Sequence, residues 1–245
     1  MLYWALKVLC TPVARVAFRL RIEGRRRVPR TGPLIVASNH VSFIDSVFIP
    51  LIVPRRLTYL AKAEYFDHRL TALFFRALGV IPIRREGGSA SQRALESAAE
   101  VLRSGGALGI YPEGTRSLDG RLHKGHTGVA RLALATGATV VPVHLSGTAA
   151  VQPVGSNWLR PFKKVTVRIG APMRWSGRAE AAADPATLRQ VTDEIMCAIG
   201  ELGGQPPLPF YVRRPRTPPA PDDVDLTDRA QAVAEGLAAP GGPIA

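Results

Sequence analysis

The chain has 245 residues, 46% of them hydrophobic, which is ample for one sizeable α/β core with room for a small appendage. The balance is strongly basic, 32 Lys and Arg against 19 Asp and Glu for a net charge of +13. No RNA-binding signature, zinc-finger spacing or basic recognition helix accompanies that charge, which argues against nucleic acid as the partner. Cys10 and Cys197 lie far apart in sequence; that excludes a disulfide framework and a cysteine metal site, fits a reducing compartment, and reads both as packing residues.

The first element spans residues 2–20. Its polar positions Lys7, Thr11, Arg15 and Arg19 recur every fourth residue and make one narrow stripe on an otherwise apolar helix. Lys7, Arg15 and the mid-segment Pro12 disfavour a bilayer-spanning helix, and no small-residue cleavage site marks a signal peptide. The reading is a membrane-interfacial helix, kinked or broken into two at Pro12, with Tyr3 and Trp4 at headgroup level. Basic residues crowd this end: Lys7, Arg15, Arg19, Arg21, Arg25, Arg26, Arg27 and Arg30 against Glu23 alone within residues 1–30. An anionic membrane surface is the partner that suits such a terminus.

Residues 21–30 form a charged connector with a short strand, and residues 29–33 a turn. A β-type run, Leu34 to Ala37, then leads into Ser38-Asn39-His40-Val41-Ser42-Phe43-Ile44-Asp45, and an apolar helical pattern from Phe43 to Leu51 leads out. His40 therefore falls where a buried strand ends and a helix begins, the edge at which open α/β sheets bind ligands. With His40 in the turn and Asp45 in the first helical turn the two side chains can meet, the carboxylate fixing the tautomer and leaving the other ring nitrogen as a base. The same residues also read as a capping box with Ser42 as N-cap, and His40 as an ordinary loop histidine.

A strand at 57–61, a helix at 69–78 with Phe74 and Phe75 in the core, and a short strand at 79–83 ending in Arg84-Arg85 follow. An alanine-rich helix over 89–104 closes at Gly105-Gly106, and a strand at 107–110 opens onto Tyr111-Pro112-Glu113-Gly114-Thr115-Arg116-Ser117. There Gly114 permits close backbone approach to a ligand, Arg116 offers a planar fork suited to phosphate, and Glu113 can accept from hydroxyls. Lys124-Gly125 precedes a helix to about Thr136, whose first amides can face an anion; His126 reads as a loop histidine. A strand over 139–145 contains Pro142, which suggests an edge or a bulge. A loop to Phe162, a strand over 165–169 and a last helix opened by Asp184-Pro185 complete the pattern, and from Pro206 the composition turns proline-rich.

Asn39-His40-x4-Asp45 together with Pro112-Glu113-Gly114-Thr115-Arg116 resembles the glycerolipid acyltransferases, above all the lysophosphatidic acid acyltransferases, over roughly residues 24–176. The resemblance implies transfer of a fatty acyl group from acyl-CoA or acyl-carrier protein to the free hydroxyl of 1-acylglycerol 3-phosphate, giving phosphatidic acid. It makes His40 and Asp45 the base and its orienter. Arg85, Glu113, Gly114, Thr115, Arg116 and Lys124 would hold phosphate and glycerol, with Asn39, Ser42 and Pro142 supporting. The family carries an acidic residue before the arginine that Arg85 matches; Arg84 replaces it here. No metal and no cofactor beyond the acyl co-substrate are implied.

The expectation is an α/β fold with a mostly parallel central sheet flanked by helices. It divides into an interfacial helical segment at 1–23, an acyltransferase domain at 24–203 and a Pro-rich, largely disordered tail at 204–245. The expected location is the cytoplasmic face of a bacterial cell membrane, peripheral or monotopic, with a membrane lipid as acceptor. An acyltransferase for another lysophospholipid or glycolipid, and a non-catalytic membrane-binding module, are the alternatives.

Overall fold

The computed structural model describes residues 2–62, 80–83, 90–153, 156, 158–177 and 183–212. The helix expected at 69–78 with Phe74 and Phe75, the Arg84-Arg85 pair and the tail from residue 213 lie outside them. In chain order the elements are α1 (Leu2–Ala17), β1 (Arg21–Glu23), a 3-10 turn (Arg25–Arg27), β2 (Leu34–Ser38), α2 (Asp45–Ile52), β3 (Tyr59–Lys62), β4 (Val80–Ile83), α3 (Ala90–Arg103), β5 (Ala107–Ile110), α4 (Gly128–Thr136), β6 (Thr139–Ser146), α5 (Thr148–Val151), β7 (Thr166–Ile169) and α6 (Pro185–Gly203).

The central sheet has the strand order β1-β7-β6-β2-β5, and β3 pairs with β4 in a second small sheet. All of these pairings are parallel except β6 with β7. β2 is buried at every position, and its alternate residues serve opposite faces. Leu34 and Val36 join the core that contains Phe48, Ile49 and Ile52 of α2. Ile35 and Ala37 join the core that contains Leu102 of α3, Val129 of α4 and Val191 and Ile195 of α6. A strand covered on both faces needs an apolar side chain on each, which is why this run shows no polar alternation. The last helix begins where expected: Asp184 accepts hydrogen bonds from the amides of Ala186 and Thr187, Pro185 takes the first turn, and Gly204 ends the helix in the left-handed region.

α1 settles one alternative and departs from expectation once. It runs unbroken through Pro12. The rung that the proline removes belongs to the carbonyl of Val8, and both residues lie on the exposed side, where water can take that carbonyl. The polar stripe also divides. Tyr3, Lys7 and Ala14 are buried and Thr11 half-buried, whereas Trp4, Val8, Leu9, Val13, Val16 and the arginines at 15 and 19 are exposed. Lys7 donates to the carbonyl of Val53 at the end of α2, and the Tyr3 hydroxyl donates to the carbonyl of Arg55 at 3.2 Å. The helix thus turns part of its polar stripe inward onto the carboxyl end of α2, where unpaired carbonyls attract a cation. Among the described residues no helix is long and apolar enough to cross a membrane.

Lys7 is only 8% exposed, and burial, with the Arg25 charge second, pushes its pKa down to about 8. Between that value and the ordinary 10.5 the unfolded chain holds a proton that the folded chain has released, so this group makes stability rise with pH over the window. Lys7→Met removes that rise. Its denaturation midpoint relative to the parent should be highest near about pH 7.5 and fall back by about pH 10.

Pro142 sits inside the sheet, on a strand flanked by β2 and β7, and a bulge accommodates it. Its carbonyl accepts from Gly170 at 2.8 Å, so its missing N–H faces the same side, at the end of the β6–β7 ladder, and takes nothing from the pairing with β2. Val140 bridges to Met173, which leaves Val141 alone opposite both Ala171 and Pro172. Cys10 and Cys197, expected to pack inside, are both exposed thiols.

Candidate active site

β2 and β5 run parallel in a register that pairs Ala37 with Ile110. Carried three residues past the ladder, that register sets His40 opposite Glu113, and the chain keeps the appointment. The His40 amide donates to Glu113 Oε1 at 3.0 Å, and the Ser117 amide donates to the His40 carbonyl at 2.7 Å. The two motifs, 73 residues apart, are thus one constellation at the carboxyl edge of adjacent strands.

His40 Nδ1 lies 3.0 Å from Asp45 Oδ2. The Asp45 side chain is fully buried and that of His40 is 15% exposed. The same carboxylate oxygen accepts the amides of Val41 at 2.9 Å and Ser42 at 2.8 Å. With Asp45 as carboxylate the ring contact needs a hydrogen on Nδ1, which leaves the lone pair on Nε2. Asp45 also caps the turn by reaching back to its amides. Ser42, expected in that role, instead donates its hydroxyl to the carbonyl of Gln152 at 2.8 Å, and residue 44 at the helix start gives no side-chain cap. A serine so engaged is a strut between two loops.

Tyr111 had no assigned role in the sequence and proves central. Its ring stacks on His40 with centroids 3.9 Å apart and planes 11° from parallel, and its hydroxyl lies 3.0 Å from that of Ser46. Tyr59 stacks behind it at 6.0 Å. Burial first, and the Asp45 charge second, push the Tyr111 pKa well up, so its hydroxyl stays neutral. Gly109 makes room for this stack, since a Cβ there would meet the Tyr59 ring at 2.3 Å. The signal was present in the tyrosine that opens the Tyr-Pro-Glu-Gly run, but nothing in linear order says that two rings become coplanar.

Glu113, expected to meet substrate hydroxyls, is instead buried and commits both oxygens to the main chain, Oε1 to His40 and Oε2 to the His123 amide at 3.0 Å. Burial raises its pKa to about 7 against the opposing pull of those two hydrogen bonds. Asn39, expected in a supporting role, is likewise engaged: its Nδ2 donates to the Leu145 carbonyl at 3.0 Å, and its Oδ1 accepts the Leu145 amide at 2.8 Å. The amides of Val41 and Ser42 are held by Asp45, so neither they nor Asn39 supply oxyanion donors in this arrangement.

Gly114 turns the chain at φ 71°, and a Cβ there would approach the His126 ring at 3.0 Å. Thr115 is half-buried and Arg116 exposed, forming no ion pair among the described residues. Lys124 is half-buried with its ammonium 5.5 Å from the Tyr211 ring, and its amide donates to the Phe210 carbonyl. Residues 204–212, expected within a disordered tail, are therefore tied down: Leu208 donates to the Leu122 carbonyl and Tyr211 stacks on His126 at 4.6 Å. Arg85 lies outside the described residues.

A mostly parallel α/β sheet with a His-Asp pair at the carboxyl edge of β2, beside the outer strand β5, and an arginine-bearing loop next to it, is the setting of a group-transfer protein. The chain belongs to the acyltransferase family: the profile of that family, Acyltransferase, matches residues 19–146, from the end of α1 through β6. It is 31% identical over 160 residues to the chloroplastic 1-acyl-sn-glycerol-3-phosphate acyltransferase LPAT1 of Arabidopsis thaliana, covering 65% of this chain and 45% of that one. It is 35% identical over 143 residues to the lyso-ornithine lipid O-acyltransferase of Pseudomonas aeruginosa, covering 58% and 52%. The chain spans about half the length of these curated relatives. The crystal structure of the 1-acyl-sn-glycerophosphate acyltransferase PlsC from Thermotoga maritima shares its fold, with a TM-score of 0.65 at 25% identity over 82% of this chain and 77% of that one.

Proposed function

We propose that the chain transfers a fatty acyl group from a thioester, acyl-CoA or acyl-carrier protein, to the free hydroxyl of 1-acylglycerol 3-phosphate, with His40 as general base. The contact of His40 Nδ1 with the buried Asp45 carboxylate carries this reading, because it leaves Nε2 as the basic nitrogen on a partly exposed ring. Nε2 takes the acceptor's hydroxyl proton as its oxygen attacks the thioester carbonyl. The tetrahedral intermediate then collapses, the carbon–sulfur bond breaks, and the imidazolium returns the proton to the departing thiolate. Asp45 stabilises that imidazolium and holds its tautomer. The acceptor hydroxyl supplies the nucleophile, so no acyl-enzyme is required. Tyr111 keeps the ring plane fixed from beneath.

Arg116 binds the acceptor phosphate in this account, with Lys124 beside the same loop. An apolar cavity of about 80 Å³ between α1 and α2, lined by Leu6, Val47, Pro50 and Leu51 together with Lys7, Cys10 and Ser46, suits part of an acyl chain. The chain works at the cytoplasmic face of a membrane, held peripherally, where the acceptor resides and a polar donor arrives from solution.

The identity to a lyso-ornithine lipid O-acyltransferase favours one second reading, in which the acceptor is an aminolipid. Thiol release from acyl-CoA with each acceptor in turn separates the two. Arg116→Ala should raise KM for 1-acylglycerol 3-phosphate about tenfold or more, the worth of a charge-assisted phosphate contact, with kcat little changed. Equal KM in parent and variant, with faster turnover of a lyso-ornithine lipid, selects the second reading.

A further inference from the structure

We infer that residues 158–164 form a second lipid-contact element beside α1, through which the protein docks on an anionic bilayer surface. Trp158 is 84% exposed and Phe162 65%, with Leu159 also exposed. Arg160, Lys163 and Lys164 are exposed among them, and no acidic residue occurs between Gly147 and Gly170. Aromatic side chains alternating with cations fit the headgroup boundary of an anionic bilayer, where rings enter the apolar side and cations meet lipid phosphates. A protein partner of complementary shape would need acidic groups facing three cations; a fluid anionic surface needs only charge and depth.

The backbone gives an independent sign. Phe162 sits at φ 63°, in the left-handed region that a bulky residue rarely adopts. Inside the protein its side chain is left uncovered. A disfavoured conformation that holds an aromatic ring out into water points to a use outside the molecule. The Phe162 amide donates to the Ala17 carbonyl at 2.6 Å, and the Val165 amide to the Phe18 carbonyl at 3.1 Å. These bonds place the loop at the carboxyl end of α1, next to the exposed Val16 and the arginines at 15 and 19. The apolar side of α1 and the loop together exceed the scatter of single surface hydrophobics.

The loop also reaches the site. The Arg160 amide donates to the Val151 carbonyl at 2.8 Å, and the next residue, Gln152, receives the Ser42 hydroxyl from the turn that carries Asp45. The element that meets lipid is thus two hydrogen bonds from the turn that follows the base assigned by the transfer reading. The docking inference itself goes beyond that reading, since vesicle binding needs no turnover and either can fail alone.

The test uses the full chain with vesicles of phosphatidylcholine alone or mixed with phosphatidylglycerol. Phe162→Gly suits the positive φ and so should melt no lower than the parent, yet partition onto mixed vesicles about tenfold more weakly. Lys163→Glu with Lys164→Glu should weaken binding to mixed vesicles about tenfold or more at low salt and leave binding to phosphatidylcholine unchanged. In a Trp4→Phe background, brominated lipids should quench an emission component that disappears with Trp158→Phe. Unchanged partitioning of both loop variants, or a Trp158 signal untouched by brominated lipid, overturns the inference. So does a Phe162→Gly chain that binds vesicles fully but loses self-association in sedimentation, which would make the loop a protein contact.

Discussion

His40→Ala is expected to lower acyl transfer by about two to four orders of magnitude while leaving the fold intact. The ring is partly exposed, and the Asp45 oxygen that loses it still accepts two amides. Asp45 gives the sharper pair of variants. Asparagine can keep an oxygen toward His40, Val41 and Ser42 and place its NH2 where Oδ1 now stands, buried and without a partner. Asp45→Asn should therefore fold, lose the charge that stabilises the imidazolium, and fall about a hundredfold or more in rate. Asp45→Ala strands two buried amides and should also lose about 2 to 4 kcal/mol of stability. Thiol release and denaturant unfolding on the three variants check this; a His40→Ala protein within about threefold of the parent would remove the case for general-base catalysis.

Glu113→Gln is the second large effect, and it appears first in stability. Both Glu113 oxygens accept main-chain amides, so a carboxamide must turn its NH2 toward one of two N–H donors. One amide goes unpaired, at a cost of about 2 kcal/mol, and His40 shifts with its own main chain. The rate should fall about tenfold or more even though Glu113 touches no reacting atom, because a base displaced by a fraction of an ångström transfers its proton poorly. The Glu113 pKa is raised to about 7 from 4.5, so below the lower value the group contributes its full stability, and that stability is lost as pH rises through about 7. The loss approaches about 3 kcal/mol in the parent and is absent in the glutamine variant. The parent should therefore lose stability relative to the glutamine variant steadily from about pH 4.5 to about pH 8. A difference constant across that range would show that Glu113 is ionised throughout.

The meeting of His40 and Asp45 was legible because it is local. A strand-ending histidine and a carboxylate in the following first turn have few other places to go, and the uninterrupted apolar run before them fixed the strand as doubly buried. The parallel sheet was legible from alternating strands and helices. What the sequence hid was direction. The four-residue stripe on α1 names two faces without saying which meets the domain, and the carboxyl end of α2 that draws Lys7 inward is set by tertiary packing. A Glu in a Pro-Glu-Gly turn can point outward to a ligand or inward to amides; only the β2–β5 register, a long-range property, decides it. Pro142 announced an irregularity, yet the extra residue of the bulge lies on the partner strand. The short strand at Arg21–Glu23 gains its meaning from β7, some 140 residues later. The proline-rich composition beyond residue 205 gave no sign of the two rings, Phe210 and Tyr211, that pin it down.

Asn39 bears on how firmly His40 is held. Its carboxamide pairs with both main-chain groups of Leu145, as another strand residue would, so the ladder continues by one rung after the backbone has begun to swing away. The start of the swing is thereby pinned to a strand that is buried almost throughout. The turn that carries His40 thus hangs from a residue tied twice to the buried strand β6.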